Sequence, residues 1–352
     1  MADWSASMQQ TFEYYVVDPG TWKDIRQLRT VRACSITRDL TVETLGSATI
    51  DIDETIEECY VRAYLITIQD GIKEKHPLGT FLVQTPSTDF DGKRRTFSAD
   101  AYTPLLELKE NQPPIGYFIP KDSNAMDYAY RLTREHTRAP VVETSCPTTL
   151  STDFVAYTED TWLSYIRDIL ANIKYRLTLD ELGRVLFSPE QDTASLQPVW
   201  TYDDSNSSIL YPEISIDRDL YDIPNVVEVI FSNGAQNLYA KVVNDDPNSP
   251  TSTVSRGREI SHRITDPELN GDPTQTQVEM YAEKVLREMS SLECTITYDH
   301  GYCPTRIGDC VRINNSRANL VDIKAKVISQ TINCEPGCKT TEKAVFTTKL
   351  WR

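Results

Sequence analysis

Short apolar segments alternate with polar turn residues along the first hundred positions, and their period is that of strands rather than helices. Leu40–Leu45, Ala48–Ile52, Cys59–Ile68, Gly79–Gln84 and Arg94–Ala99 are β-branched or aromatic runs. Turn signals separate them at Gln69-Asp70-Gly71, His76-Pro77 and Asp89-Phe90-Asp91-Gly92. That spacing predicts an antiparallel β-unit, sandwich or barrel. Tyr102 to Lys109 adds a short helix, with Pro104 near its first turn, where a missing N–H costs nothing.

The period then changes. After Asn111-Gln112-Pro113-Pro114, a helix is predicted from Ser123, as cap, through Met126, Ala129, Tyr130 and Leu132. Thr158 precedes a clearer one with Trp162, Ile166, Ile169 and Ile173 on one face, reinforced by Leu163 and Leu170. Tyr175–Leu179 and Val185–Ser188, joined through Glu181-Leu182-Gly183, read as a hairpin packed on that helix. A second hairpin, Val226–Ser232 and Leu238–Val243, straddles Asn233-Gly234. The polar loops 244–250 and 266–274 are expected at the surface around a strand near Arg258–Ile264. A third helix runs from Thr276 to Met289 with Val278, Tyr281, Ala282, Val285 and Leu286 inward. Strands resume at Cys294–Tyr298, Ile307–Ile313, Val321–Asn333 and Thr340–Trp351.

The expected fold class is therefore α+β and mainly β, with two β-barrel-like units and helix-containing inserts. Residues 1–105 form the first unit, 106–200 an α/β insert, and 201–290 a hairpin-and-helix domain. Residues 291–352 form a second barrel-like segment, which strands from 201–264 can complete. A chain of 352 residues exceeds what one core usually serves, which agrees with several packed pieces.

Charge narrows the function. With 36 Lys and Arg against 52 Asp and Glu, the net charge of −16 repels nucleic acid and anionic lipid at long range. No apolar run approaches the roughly 18–20 residues of a membrane span, and the start lacks a basic flank and an apolar stretch, so neither insertion nor export is expected. Eight cysteines in this length, without an export signal, are expected as thiols.

Familiar catalytic motifs do not fit the spacing. No two of the 13 glycines lie closer than seven positions, which excludes the dinucleotide fingerprint, the phosphate loop and the nucleophile elbow. His76, His136, His262 and His300 stand alone in sequence. Carboxylate neighbours such as Asp51-Ile52-Asp53-Glu54 and Glu57-Glu58 are what solvated faces and strand ends carry at this acid content. Cys294, Cys303, Cys310, Cys334 and Cys338 crowd the end, yet no C-x-x-C pair occurs. The reading adopted is structural: Cys294 and Cys310 as small apolar strand residues, and Cys334-Glu335-Pro336-Gly337-Cys338 as a hairpin turn. Catalytic, cofactor and metal residues are thus expected to be none. Zinc or an iron–sulfur cluster on Cys303, Cys310, Cys334 and Cys338 is the alternative.

Four early stretches and one late one carry a resemblance. They are Cys34-Ser35-Ile36-Thr37-Arg38-Asp39, Ser47-Ala48-Thr49-Ile50-Asp51, Tyr60-Val61-Arg62-Ala63-Tyr64-Leu65, Pro77-Leu78-Gly79-Thr80-Phe81-Leu82-Val83 and Arg306-Ile307-Gly308-Asp309-Cys310-Val311. In this order, with the helical insert between, the chain resembles the central hub protein of phage tail tips and baseplates, and the last stretch resembles the G-D-x-V turn of that hub's closing barrel. The resemblance implies a ring-shaped homotrimer in which two related barrels per chain give pseudo-sixfold symmetry. Such a ring adapts the sixfold tail tube or distal tail protein to threefold tip proteins. It implies as partners the tape measure protein and the tip spike, receptor-binding or fibre proteins, with genomic DNA passing through without specific binding. Three copies would carry −48, three times −16, and a negative lumen would not hold DNA. The implied location is the virion tail tip, after synthesis in host cytoplasm, without membrane insertion. Relatives with a peptidase, lysin or sugar-binding extension suggest that such activity sits on another chain here.

Two other readings compete. A tail-associated cell-wall hydrolase or carbohydrate-binding protein would use exposed aromatics as sugar platforms and a carboxylate pair as acid and base. A distal tail adaptor would assemble as a hexamer.

Overall fold

The computed structural model describes residues 2–351 except 91, 94, 222, 234, 235, 266, 268 and 270–272. The chain divides into two units, Met1–Ile214 with Thr297–Ala344, and Ser215–Ile296 with Val345–Arg352. The first opens with β1 (Gln9–Val17), β2 (Asp24–Leu28), β3 (Val31–Asp39), β4 (Gly46–Ile52), β5 (Tyr60–Gln69), β6 (Ile72–Phe90) and β7 (Arg95–Tyr102). Then follow α1 (Leu106–Lys109), β8 (Phe118–Ile119), α2 (Ala125–His136), β9 (Phe154–Val155), α3 (Trp162–Asn172), β10 (Tyr175–Leu179) and β11 (Val185–Pro189). Next come β12 (Trp200–Asp203), β13 (Leu210–Arg218), β14 (Val226–Ser232), β15 (Asn237–Val243), α4 (Thr253–Arg256), β16 (Ser261–Ile264) and α5 (Gln275–Met289). The chain closes with β17 (Ser291–Gly301), β18 (Cys310–Asn315), β19 (Leu320–Asn333) and β20 (Lys339–Lys349).

The principal sheet follows the order β13-β17-β20-β19-β3-β4-β7-β6-β5-β1-β2, with β18 on β19 and β12 on β18. Where the sequence predicts two barrel-like units, the principal sheet is open and branched among the described residues: its path ends at β13 and β2, and a branch from β19 runs through β18 to β12. Strand length is the reason. The first half of β19 pairs with β18 (Ala325 opposite Val311) and its second half with β3 (Thr331 opposite Thr37), so the late strands extend the early sheet.

Several local expectations change. Leu40–Leu45 is not a strand but the turn between β3 and β4. Asp39 Oδ1 accepts hydrogen bonds from the N–H and hydroxyl of Thr41 at 2.7 and 2.6 Å, and Leu45 has φ 59°, so side-chain capping overrides β-branched propensity. His76-Pro77 is not a turn: β6 runs straight through it, and the register shifts between Ala63 and Tyr64 of β5, a bulge that accommodates proline. Gln69-Asp70-Gly71 does turn, with positive φ at Asp70 and Gly71. The turn predicted at 89–92 and the Asn233-Gly234 turn fall partly outside the described residues, although β14 and β15 pair as the hairpin expected.

Both longer helices of the first unit begin later than the sequence suggests. Asn124, not Ser123, caps α2 by accepting from Asp127 N at 3.0 Å. Thr161, not Thr158, caps α3 in a reciprocal box with Ser164. Trp162, Leu163, Ile166, Ile169 and Leu170 are buried with Leu177, Val185 and Phe187 of the β10–β11 hairpin, in one core with α1 and α2. The turn of that hairpin is anchored onto the sheet: Trp22 Nε1 and Arg62 Nη2 donate to Leu182 O at 2.7 and 3.1 Å.

The second unit has a three-stranded sheet, β15-β14-β16, covered by α5. Val278, Ala282 and Leu286 of α5 are buried against Val227, Val229 and Phe231 of β14. The loop after β15 is not wholly a surface loop. Asn244 is fully buried, and its Nδ2 donates to buried Ser249 Oγ at 2.9 Å, because polar side chains satisfy the loop's own groups.

Candidate functional site

Antiparallel pairing brings together polar side chains that are distant in sequence. On β17 the period-2 alternation puts Tyr298 and His300 on one face, and neighbouring β20 presents Glu342 toward them. Tyr202 of β12, Gln330 of β19, and Cys303 and Thr305 from the loop after β17 complete the group. All seven residues are at most 2% exposed.

Glu342 organises the cluster. Its Oε2 accepts from Tyr298 Oη at 2.7 Å and Tyr202 Oη at 3.2 Å. Its Oε1 accepts from Thr305 Oγ1 at 2.6 Å and from Gln330 Nε2, and lies 3.4 Å from His300 Nε2. Burial alone would raise this carboxyl, but His300 and the Thr305 and Tyr298 hydroxyls outweigh it and hold the pKa at about 2. Burial alone would lower His300, but Cys303 and Glu342 outweigh it and lift the pKa to about 10. The pair is therefore imidazolium and carboxylate. Burial, then the Glu342 charge, pushes Tyr202 and Tyr298 well above the usual phenol range, so both remain donors. Cys303 Sγ sits 3.2 Å from Tyr202 Oη.

Thiol, imidazole and carboxylate together are the ingredients of a cysteine nucleophile. Here no solvent-accessible face reaches them, and every oxygen of Glu342 is engaged. The arrangement joins β12, β17, β19 and β20 by charge-assisted hydrogen bonds, which is a structural task. Sequence reasoning places His300 and the cysteines separately and misses Glu342 and Tyr202. The only trace is the alternating burial of strand positions 298, 300 and 342, which is invisible before the strand order is known.

The candidate cysteines separate into different surroundings. Cys303 belongs to the Glu342 cluster, and Cys310 begins β18 with its Sγ 3.8 Å from Val311 O. Cys334 lies across from Cys34, donating N–H to Cys34 O at 2.9 Å, with Tyr14 and Cys338 in the same core. Burial raises Cys338, and the neighbouring Cys334 adds to it. Cys334 and Cys338 flank the β19–β20 turn, where Gly337 has φ 96°. All eight thiols are free, and no group of three or more His, Cys, Asp or Glu suited to a metal occurs among the described residues.

The fold itself is the stronger guide. No protein-family model and no curated protein matches the sequence. Solved structures do. A tail protein from Neisseria meningitidis superposes with a TM-score of 0.62 at 13% identity, over 97% of this chain and 98% of that one. The 43 kDa tail protein of prophage MuSo2 from Shewanella oneidensis gives 0.61 at 11% identity, over 95% and 98%. A chain of the Francisella PdpA–VgrG complex gives 0.54 at 9% identity, over 96% of this chain and 53% of that one. The chain shares its fold with the two tail proteins over nearly its whole length.

Proposed function

We propose that this chain is a structural protein of a phage tail tip or baseplate hub. The observation that carries the reading is the full-length match, in both directions, to two tail proteins. In this reading the chain forms a homotrimeric ring, each copy presenting two related β-lobes that give pseudo-sixfold symmetry. The ring joins a sixfold tail tube or distal tail protein to threefold tip proteins, contacts the tape measure and the tip spike or fibre proteins, and surrounds the path of the ejected DNA. Residues 1–105 and 291–352, with strands from 201–264, supply the ring, and 106–200 and 201–290 are its inserts. Edge strands favour such closure: among the described strands β2 pairs only with β1, and β12 only with β18, leaving edges that a neighbour can cover. The acidic balance suits a channel that DNA must not adhere to.

The protein acts without catalysis and without metal in this reading, the sealed Cys303–His300–Glu342 cluster being a brace. The test is the symmetry of the chain in assembled tails, by native mass spectrometry of tail tips and by electron cryomicroscopy. Three copies in a ring are expected. A sixfold ring would instead make it a distal tail adaptor, a monomeric copy within the particle would refute the ring, and peptidoglycan turnover by the purified chain would refute the non-catalytic role.

A further inference from the structure

The hairpin β10–β11 has two faces of different chemistry. Leu177, Val185 and Phe187 enter the core with α3, so Arg176, Thr178, Leu186 and Ser188 point the other way; the register pairs Arg176 with Ser188 and Thr178 with Leu186. That second face lines a cavity of about 420 Å³ within the first unit, closed also by Leu78 and Phe81 of β6, Arg38 of β3 and the 306–310 turn.

Every charged side chain lining this cavity has a hydrogen-bond partner except one. Arg306 grips Glu181 with two hydrogen bonds of 2.6 Å, and Arg38 donates to Gln330 Oε1 at 3.0 Å and Leu78 O at 2.6 Å. Asp180 accepts from Arg184 Nε at 2.6 Å, and Asp309 from Arg306 N at 2.9 Å. Arg176 makes no hydrogen bond or ion pair among the described residues, and its Nε is buried without an acceptor. Its guanidinium rests against Gly308, where a Cβ would stand 2.4 Å from Nη2, so only glycine lets it lie there. Lys326 lies outside the lining: burial, then Arg176, lowers its pKa, and the Glu190 charge raises it.

A buried guanidinium nitrogen without an acceptor is rare in folded proteins and points to a missing partner. We propose that this cavity binds a carboxylate borne on an apolar body, with Arg176 as the anchoring cation. One unmatched cation suits a monoanion, while Glu181 and Asp309 disfavour a phosphate dianion. Leu78, Leu186, Leu196 and Val199 provide the apolar wall for the body. The carboxylate comes from a free aliphatic acid or from an acidic side chain of an assembly partner. The site does not depend on ring formation, and the test below is read on the unassembled full chain.

Titration calorimetry with octanoate, 1-octanol and octyl phosphate, and with acetyl-Leu-Glu-Leu-amide and its Gln counterpart, decides it. Saturable binding of octanoate or of the Glu peptide is expected, at least about tenfold tighter than the neutral and phosphorylated analogues. Octanoate binding alone assigns the free acid, and Glu-peptide binding assigns the protein source. Arg176→Met should lose about tenfold or more in affinity with no fall in melting temperature, because it deletes an unsatisfied donor. Leu186→Trp, which keeps Arg176 but fills the cavity, should abolish binding. Absence of binding by both carboxylate probes, equal binding of octanol, or unchanged affinity in a folded Arg176→Met or Leu186→Trp protein overturns the proposal.

Discussion

Replacing Glu342 by Gln tests whether the buried cluster braces the fold. The change keeps shape but removes the charge and converts one acceptor oxygen to an NH2 group. If the amide oxygen takes the Tyr298 and Tyr202 hydroxyls, the new NH2 faces Thr305 Oγ1 and the NH2 of Gln330, and one donor loses its acceptor. His300, fully buried, loses its counter-charge at 3.4 Å. Removing one partner of a buried ion pair costs about 3–5 kcal/mol, the range expected here. Urea unfolding, followed by near-ultraviolet circular dichroism for the tyrosines, measures it. The pH dependence gives a second reading of the same cause. Glu342 has a folded pKa of about 2 against an ordinary 4.5, so its stabilisation is complete above 4.5 and is lost as pH falls toward 2. His300 has about 10 against 6.5, so its stabilisation is complete below 6.5 and is lost as pH rises through 10. The stability difference between wild type and Glu342→Gln should therefore be greatest between pH 4.5 and 6.5 and shrink on both sides. A loss under about 1 kcal/mol, the scale of an exposed pair, together with a difference independent of pH, would refute the argument.

Gly308→Ala should destabilise through both its φ of 93° and the Arg176 contact; in an Arg176→Ala background only the conformational part, about 1–2 kcal/mol, should remain by thermal unfolding. Trp162→Ala should cost about 3–5 kcal/mol, because the indole is 4% exposed and stacks on His136 at 4.3 Å; unchanged thermal stability with selective loss of assembly would show instead that this helix serves a partner. Elemental analysis of purified protein should find no stoichiometric zinc or iron, and Cys303, Cys310, Cys334 and Cys338 singly changed to Ser should leave assembly intact; a coloured protein that each change bleaches would assign a cluster.

What was legible in the sequence was local. The α3 face is written in the spacing of Trp162, Ile166 and Ile169, and the β10–β11 hairpin follows from Gly183 between two short apolar runs, because both signals lie within a few residues of their effect. The cap of α3 is displaced from Thr158 to Thr161 because Ser164 closes the box only at that distance. Strands β1 to β3 escape notice: the alternation in β1 leaves most side chains half-buried, and its meaning comes from pairing with β5, more than forty residues away. The Glu342 cluster is hidden for the same reason, since Tyr202 and Glu342 are separated by 140 residues. Arg176 looks like an ordinary strand-surface arginine until the 306–310 turn closes over it.

The pairing of β19 with β3 sets a timetable for biosynthesis. Arg38 and Gln330, joined at 3.0 Å, are 292 residues apart. At roughly 5–20 residues per second, translation leaves the Cys34–Asp39 edge without its neighbour for about 15–60 s. During that interval a strand with apolar Ile36 is open to any other nascent chain, and closing so long a loop is slow even afterwards. Yield of soluble protein should thus be governed by chaperone capacity and translation speed more than by final stability. Shortening the chain before Ser329 would make the exposure permanent, turning a brief folding hazard into an aggregating product.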